Sequence, residues 1–507
     1  MSSNTSRIAK NTLALYLRQI IVMLVSLYTV RVVLEILGAE DYGIYNVVSG
    51  LVVLFTFLNV AMTNAIQRFL SFALGQNDME KARDVYSASF VIHALIAVLV
   101  IILAQTVGLW FFHTWLNIPP ERQEAAFVVY QFSIVAAVIG IFQIPYGATI
   151  VAHEKMSFFA MLSIIDVALR LGIVFLLPVV IFDSLVTYAF LLCVSRVILF
   201  LIRKIYCNKT FEIAHFRFCK DKKLFRQLLN FSGWTVYGGL VNVSRNQGLN
   251  VLINVFHGVI VNAAMGIAGQ VSSAVHMFVA YLQAAFNPQI VKSYSARDHV
   301  YFMRLIFTAS KLSFYMLLFL VLPLYINADF VLRIWLGTVP EYVVVFTQVI
   351  LLFLLTETII EPLRMSIQAT GDIKKYQLIQ SSFIFAVLPL ALLFLWIGFS
   401  PVWVLVAKTG LNVLSFVWHM FFLGERIKLP VWDFIRKVIV PIFIITGISS
   451  FITILLHGLI TDGWSSLIAS CVISTISIGC LVYWVGLNKK EKYLLQTWTK
   501  KIIRVGR

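Results

Sequence analysis

The feature that most restricts the fold of this chain is a series of long, uninterrupted apolar runs. Examples are VVSGLVVLFTFLNVAM at 47–62 and FYMLLFLVLPLYI at 314–326. Such runs recur along the whole chain, close to the ~20 residues that a helix needs to cross a bilayer. Only 12% of the residues are charged, whereas a soluble protein has about 25%. The chain is therefore predicted to cross a membrane many times.

The runs predict an all-α polytopic membrane protein of about 14 transmembrane helices. Strands of a membrane barrel would alternate apolar and polar residues, whereas these segments are apolar on all faces. Arg7 and Lys10 lead into a span that is too long for a cleavable signal peptide. The predicted spans are 12–37, 42–70, 87–112, 125–147, 158–177, 185–202, 227–255, 261–287, 305–324, 342–367, 378–396, 401–422, 438–457 and 464–486.

The net charge of +17 would suit a nucleic-acid partner, but its placement indicates membrane topology instead. If the N-terminus is cytoplasmic, nearly all Lys and Arg outside the spans fall on the cytoplasmic side. Only Arg122 and Arg333 then lie in outside loops. This is the positive-inside bias, and it predicts that both termini are cytoplasmic and that no nucleic acid is bound.

The sequence offers no pattern typical of an enzyme or a metal site. The five cysteines form no CxxC motif and have no histidine cluster beside them. No Ser/His/Asp set, Walker loop or metal-ligand spacing is present, and the outside loops near 113–124 and 325–341 are short. We therefore expect a non-enzyme without a metal or cofactor.

Three pairs of landmarks recur in order at offsets of 217 to 223 residues, which indicates a duplicated six-helix unit. The pairs are Gly43 with Gly266, Gln67 with Gln289, and Pro145 with Pro362. The predicted organisation is an N-terminal six-helix lobe (1–206), a basic cytoplasmic linker (207–224), a C-terminal six-helix lobe (225–424), and helices 13–14 with a basic amphipathic tail (425–507).

Because each lobe has an even number of spans, the repeat is parallel, with an axis along the membrane normal. That symmetry suits alternating access by two rocking lobes. Pro145 and Pro362 fall inside the matched fourth and tenth spans, where proline removes a backbone hydrogen bond. Each is expected to produce a static kink or a moving hinge.

The stretch VLEILGAEDYGIYNVVSG (33–50) carries a family resemblance through its LG-x-x-x-YG loop, Leu37-Gly38 to Tyr42-Gly43. With the 14 spans, the basic linker and the paired prolines, the chain resembles the O-antigen and capsule repeat-unit flippases. They belong to the multidrug/oligosaccharidyl-lipid/polysaccharide exporter superfamily. The resemblance implies transport of a polyprenyl-diphosphate-linked glycan to the outer leaflet of the bacterial inner membrane. It also implies contact with membrane lipids and a loose association with glycan polymerase machinery.

Cations within the spans are candidate contacts for the diphosphate headgroup, since a charge in the bilayer core is expected to face a cavity or a partner. Arg245, Lys311 and Lys408 have no acid within four positions, and the segment around Arg245 is rich in amides. Pairing with acids on other helices is the alternative. The predicted headgroup contacts are Arg31, Arg245, Lys311, Lys408 and Asn250.

Glu357 and Glu361 are four residues apart on one helix, and Arg364 follows. Two carboxylates close together in a low-dielectric site resist double ionisation, which suits proton or Na⁺ coupling. Plain pairing with cations on neighbouring helices is the alternative. Asp166 is a third candidate for ion coupling, although Arg170 lies one turn away and neutralisation explains it equally well.

Two other functions remain open. A multidrug or organic-cation antiporter of the same superfamily usually has 12 spans and uses acids in its cavity, whereas here the intramembrane cations outnumber the acids. A membrane glycan polymerase or ligase would need a catalytic platform outside the membrane, and the outside loops are too short to form one.

Overall fold

The structure is a computed structural model that describes residues 2–55, 62, 66–67, 69–70, 72–74, 76, 78–153, 155–217, 221–370, 374–458, 460, 463–488 and 491–492. Every regular element within these ranges is helical. The helices are α1 Ser2–Leu54, α2 Met79–Leu103, α3 Leu109–Thr114, α4 Gln123–Ala152, α5 Met156–Leu176, α6 Ser184–Thr210, α7 Lys222–Ser295, α8 His299–Ile326, α9 Ala328–Leu336, α10 Val343–Thr370, α11 Lys374–Trp396, α12 Val402–Ile427, α13 Val431–Phe434, α14 Val440–His457 and α15 Trp464–Leu481.

Twelve helical stretches in the described part are long and apolar enough to cross a membrane. Two of them, Val22–Leu54 and Tyr237–Ala280, contain a glycine with non-helical dihedral angles. Gly38 has φ 76° and ψ 173°, and Gly258 has φ 78° and ψ −173°. Each glycine separates two predicted spans, which explains why twelve stretches correspond to fourteen predictions. The expected all-helical, polytopic fold is confirmed.

The two glycine breaks lie at the spacing of the predicted internal repeat. Gly38 and Gly258 lie 220 residues apart, within the range of the three pairs found in the sequence. Their φ and ψ place both in a region that is essentially accessible only to glycine. In that region a Cβ atom would clash with the backbone of its own and the adjoining residues. A glycine with the same backbone conformation therefore separates the first two predicted spans of each predicted repeat.

Gly38→Ala and Gly258→Ala are each expected to lower the thermal unfolding midpoint, at a cost of about 1–3 kcal/mol. The cost is backbone strain, since an added Cβ at Gly38 meets no atom within 4 Å and one at Gly258 meets only the Asn117 amide at 3.7 Å. Gly140→Ala is the matched control, because Gly140 lies in helical α4 with open space around it. Equal midpoints for the three variants would contradict this explanation.

Several sequence landmarks lie within or beside these helices. α4 and α10 both continue through their prolines, Pro145 and Pro362. α6 extends to Thr210, within the predicted linker, and α7 begins at Lys222. The predicted amphipathic tail, 491–507, lies outside the described residues except for its first two.

The chain packs as two compact units. The first unit comprises Met1–Ile267, Trp335–Tyr342 and Ile384–Val404, and within it α4 packs against α6 and α1. The second unit comprises Ala268–Ile334, Val343–Phe383 and Leu405–Arg507, and within it α8 packs against α10 and α15.

Arg122 joins three segments of the first unit. Its guanidinium donates to both carboxylate oxygens of Asp41 at 2.8 and 2.6 Å and to Asp183 Oδ2 at 2.6 Å. Asp183 also caps α6 by accepting from the Val186 amide at 3.0 Å. Burial raises the pKa of Asp183, but the hydrogen bonds from Arg122 and Val186 outweigh it and hold that pKa below its usual value. This predicted outside arginine therefore fixes the helix ends around the Gly38 break.

Candidate functional site

The acids of α10 lie on one helix face and share one cation. Arg364 Nη2 donates to Glu357 Oε1 at 2.8 Å, and Arg364 Nη1 lies 2.9 Å from Glu361 Oε2. The three side chains are only 21–28% exposed. Residues three, four and seven positions apart share a face of a helix, so the local sequence alone produces this contact. One guanidinium between two carboxylates leaves one net negative charge.

A polar face of α12 lies against α10 near these acids. Lys408, Asn412, Ser415 and His419 are spaced by four, three and four residues, which places them on the same side of the helix. Asn412 Nδ2 donates to Thr356 Oγ1 at 2.9 Å. Lys408 Nζ lies over the Phe353 ring, 4.2 Å from its centroid, in a cation–π contact.

His419 connects this face to α11 and is fully buried. Its Nδ1 lies 2.6 Å from the Ser415 carbonyl oxygen, which can only accept, so Nδ1 carries the ring proton. In a neutral ring Nε2 is then an acceptor, and the Tyr376 hydroxyl, 2.7 Å away, donates to it. Ser415 Oγ in turn donates to Gln380 Oε1 at 2.8 Å. Both ring nitrogens are therefore hydrogen-bonded.

These groups are polar side chains on neighbouring helices of the second unit, and we call the set the polar seam. It combines carboxylates and a histidine, which exchange protons, with cations, which attract phosphates. Its members are Thr356, Glu357, Glu361 and Arg364 of α10, Tyr376 and Gln380 of α11, and Lys408, Asn412, Ser415 and His419 of α12.

Lys311 of α8 forms an ion pair in another part of the second unit. Its ammonium lies 2.9 Å from Glu491 Oε2 and donates to the Gly486 carbonyl oxygen at 3.1 Å. Glu491 Oε1 also accepts from Thr308 Oγ1 at 2.9 Å. Lys311 is only 4% exposed, so this contact neutralises a buried charge and ties the segment after α15 to α8.

The other predicted residues lie in the first unit. Arg31 of α1 is exposed, as is its neighbour Glu35, and Arg245 of α7 is partly buried. Asp166 accepts from Arg170 Nε at 3.3 Å within α5, the neutralising arrangement that the sequence allowed.

The amides of α7 divide into two groups. Asn254 accepts from the Asn117 amide at 3.0 Å, and Asn262 donates to the Asn250 carbonyl oxygen at 2.7 Å across the Gly258 break. Asn250 itself donates to Gln247 Oε1 at 3.1 Å. These amides support the break, whereas Asn242 and Asn246, nearer the start of the helix, are exposed.

Lys408 was predicted from the sequence as a functional residue, whereas the other residues of its face were not. The sequence does contain a pattern that indicates this face, because Asn412, Ser415 and His419 follow Lys408 at helical spacing in an otherwise apolar segment. Tyr376 and Gln380 gave no comparable signal, because their importance comes from facing His419 and Ser415 on another helix.

Residues 8–293, more than half of the chain, match the sequence model of a family described as polysaccharide biosynthesis protein. No curated protein matches the chain.

Solved structures share the fold. The lipid II flippase MurJ in an inward closed conformation matches with a TM-score of 0.69 at 12% identity, over 92% of this chain and 98% of its own. An inward-facing multidrug resistance MATE transporter of the MOP superfamily matches with a TM-score of 0.67 at 15% identity, over 80% and 96%. A MOP superfamily transporter from Pyrococcus furiosus has a TM-score of 0.58 at 15% identity, over 82% and 95%. At these identities the likeness establishes the fold alone.

Proposed function

Because this chain belongs to the polysaccharide biosynthesis protein family, we propose that it is a flippase for a polyprenyl-diphosphate-linked oligosaccharide. It moves this lipid from the cytoplasmic to the outer leaflet of the bacterial inner membrane by alternating access, with both termini in the cytoplasm. The family match carries the proposal, and the fold shared with a lipid II flippase over 92% of the chain supports it.

The headgroup of such a substrate is a diphosphate, so its contacts need cations that tolerate a low-dielectric environment. The proposed contacts are Arg31, Arg245, Lys408 and Asn250. Lys311 is left out of this set because its ammonium is buried and bound to Glu491. The exposed amides of α7 are proposed to form hydrogen bonds with the glycan hydroxyls.

Ion coupling is proposed for Glu357 and Glu361, with Asp166 as a further candidate. Arg364 lies between both α10 carboxylates and carries one positive charge, so one net negative charge remains for a proton or Na⁺ to neutralise. Pro145 and Pro362 are proposed as the bends at which the helices accommodate rocking.

Glu361→Gln is expected to make transport insensitive to pH and Na⁺, because it removes one carboxylate and leaves the Glu357–Arg364 ion pair in place. The measurement is the rate of glycan-lipid translocation in proteoliposomes, with and without Na⁺. The pH is varied from about 6 to about 8, a range that brackets physiological conditions. Glu425→Gln, an exposed acid at the end of α12, is the control. An unchanged pH and Na⁺ response in Glu361→Gln would rule out coupling at this residue.

A multidrug antiporter is the second candidate, favoured by the shared fold with a multidrug resistance MATE transporter. The excess of cations over acids within the predicted spans argues against organic cations as cargo. We place a glycan polymerase or ligase last, since the chain carries no catalytic motif in its sequence.

The deciding experiment deletes the gene and asks which leaflet holds the lipid-linked glycan. Accumulation in the cytoplasmic leaflet, reversed by the wild-type gene, is the expected result. An unchanged distribution together with sensitivity to cationic drugs would instead identify a multidrug antiporter.

A further inference from the structure

A groove of about 570 Å³ lies in the first unit, and none of the proposed coupling acids or headgroup contacts is among the residues that line it. Its walls come from α2, α4 and α6 and from the segment that follows α6. The positive-inside bias assigns this end of the helices to the cytoplasmic side. The groove is therefore accessible from the inner leaflet.

The lining changes from polar to apolar along the groove. Lys204, Asn208 and His215 lie at the end nearest the cytoplasm, and all three are exposed. Leu95 and Val98 of α2 lie at the other end, 66% and 54% exposed. Tyr86 and Val98 both line the groove, and the twelve helical steps between them correspond to about 18 Å. This length reaches from the interface well into one leaflet.

The groove is preformed rather than a gap that neighbouring side chains can close. Tyr86, Phe90 and Tyr146 pack edge to face, with ring centroids 5.0 and 5.1 Å apart around Phe90. The segment after α6 is held against α2, because the Arg217 amide donates to Ser87 Oγ at 3.0 Å and Arg83 donates to the Glu212 carbonyl oxygen at 3.2 Å. The aromatic wall and these two bonds keep the polar end in place.

We propose that this groove binds an anionic phospholipid of the cytoplasmic leaflet. The phosphate lies at Lys204, Asn208 and His215, and an acyl chain lies along Leu95 and Val98. Charge complementarity supports this occupant, since none of the described lining residues is acidic and a lysine stands at the polar end. A zwitterionic lipid lacks the net negative charge that Lys204 would recognise. The inference is independent of the proposed transport activity.

The test measures phosphatidylglycerol and phosphatidylethanolamine retained by the purified full-length protein in native mass spectrometry. We expect a preference for phosphatidylglycerol, and an approximately five-fold weaker affinity for it in Lys204→Gln, the effect of one interfacial lysine. Lys209→Gln is the matched control, because Lys209 is an exposed lysine of the same helix that does not line the groove. Equal binding by the two lysine variants would overturn the inference.

Two further outcomes separate a lipid from a smaller anion. Ala94→Trp fills the apolar end of the groove and is expected to reduce phosphatidylglycerol binding while the thermal unfolding midpoint stays near that of wild type. Unchanged binding in this variant would overturn the acyl-chain placement. Soluble pyrophosphate is expected not to compete. Displacement of phosphatidylglycerol by pyrophosphate at equal concentration would identify a phosphate site and refute the lipid assignment.

Discussion

Lys408→Gln and Arg245→Gln are each expected to slow export of the lipid-linked glycan by about tenfold or more, since each removes a cation proposed to bind the diphosphate. The measurement is the rate at which glycan-lipid appears in the outer leaflet of proteoliposomes. Lys408 is the more informative position, because its ammonium lies on the polar seam, over the Phe353 ring and one helical turn from Asn412.

This experiment can distinguish a loss of headgroup binding in these variants from a loss of folded protein. Losing the cation–π contact of Lys408 costs about 0.5–1 kcal/mol of stability, too little to account for a tenfold loss of export. Arg333→Gln is the matched control, because Arg333 is 69% exposed and pairs with Asp329 of the same helix. Normal export by both Lys408→Gln and Arg245→Gln would remove the headgroup role from these residues.

Arg364→Gln is expected to lower the free energy of unfolding by about 2–3 kcal/mol, because it leaves two partly buried carboxylates without their cation. The two acids are 21% and 28% exposed, so the cost falls below that of a fully buried pair. The thermal unfolding midpoint of the detergent-solubilised protein measures the effect.

The triple variant Arg364→Gln, Glu357→Gln, Glu361→Gln is expected to recover most of that stability, since no buried charge remains. Arg170→Gln is the comparison, because its bond to Asp166 joins two side chains on one helix that are 38% and 28% exposed. Such a pair contributes only about 0.2–0.5 kcal/mol. If the triple variant were as unstable as Arg364→Gln, the ion pairs would not be the source of the loss.

The helices were predictable from sequence because crossing a bilayer depends on local hydropathy and length. The closely spaced fifth and sixth spans form separate helices, Met156–Leu176 and Ser184–Thr210. The break at Gly38 lies in the LG-x-x-x-YG loop, whereas Gly258 lies only in the gap between the predicted spans 227–255 and 261–287; in both, an unusual backbone angle selects glycine. Pairing of Glu357 and Glu361 with Arg364 was also local, because all three lie on one face of α10.

The partners of the other charged and polar residues were not predictable in this way. Lys311 has no acid nearby in the sequence, and its partner Glu491 is 180 residues away. The partner of His419 is Tyr376, which lies 43 residues earlier and on another helix. Such contacts depend on which helix faces pack together.

Sequence alone therefore determined that this chain is all-helical with many membrane-crossing segments, and it predicted a repeated architecture with charges inside the spans. The tertiary structure decided which of those charges are neutralised, as in Lys311 with Glu491, and which belong to the polar seam of α10, α11 and α12. Hydropathy and helical period act within one segment, whereas the environment of a buried charge is set by side chains from several segments.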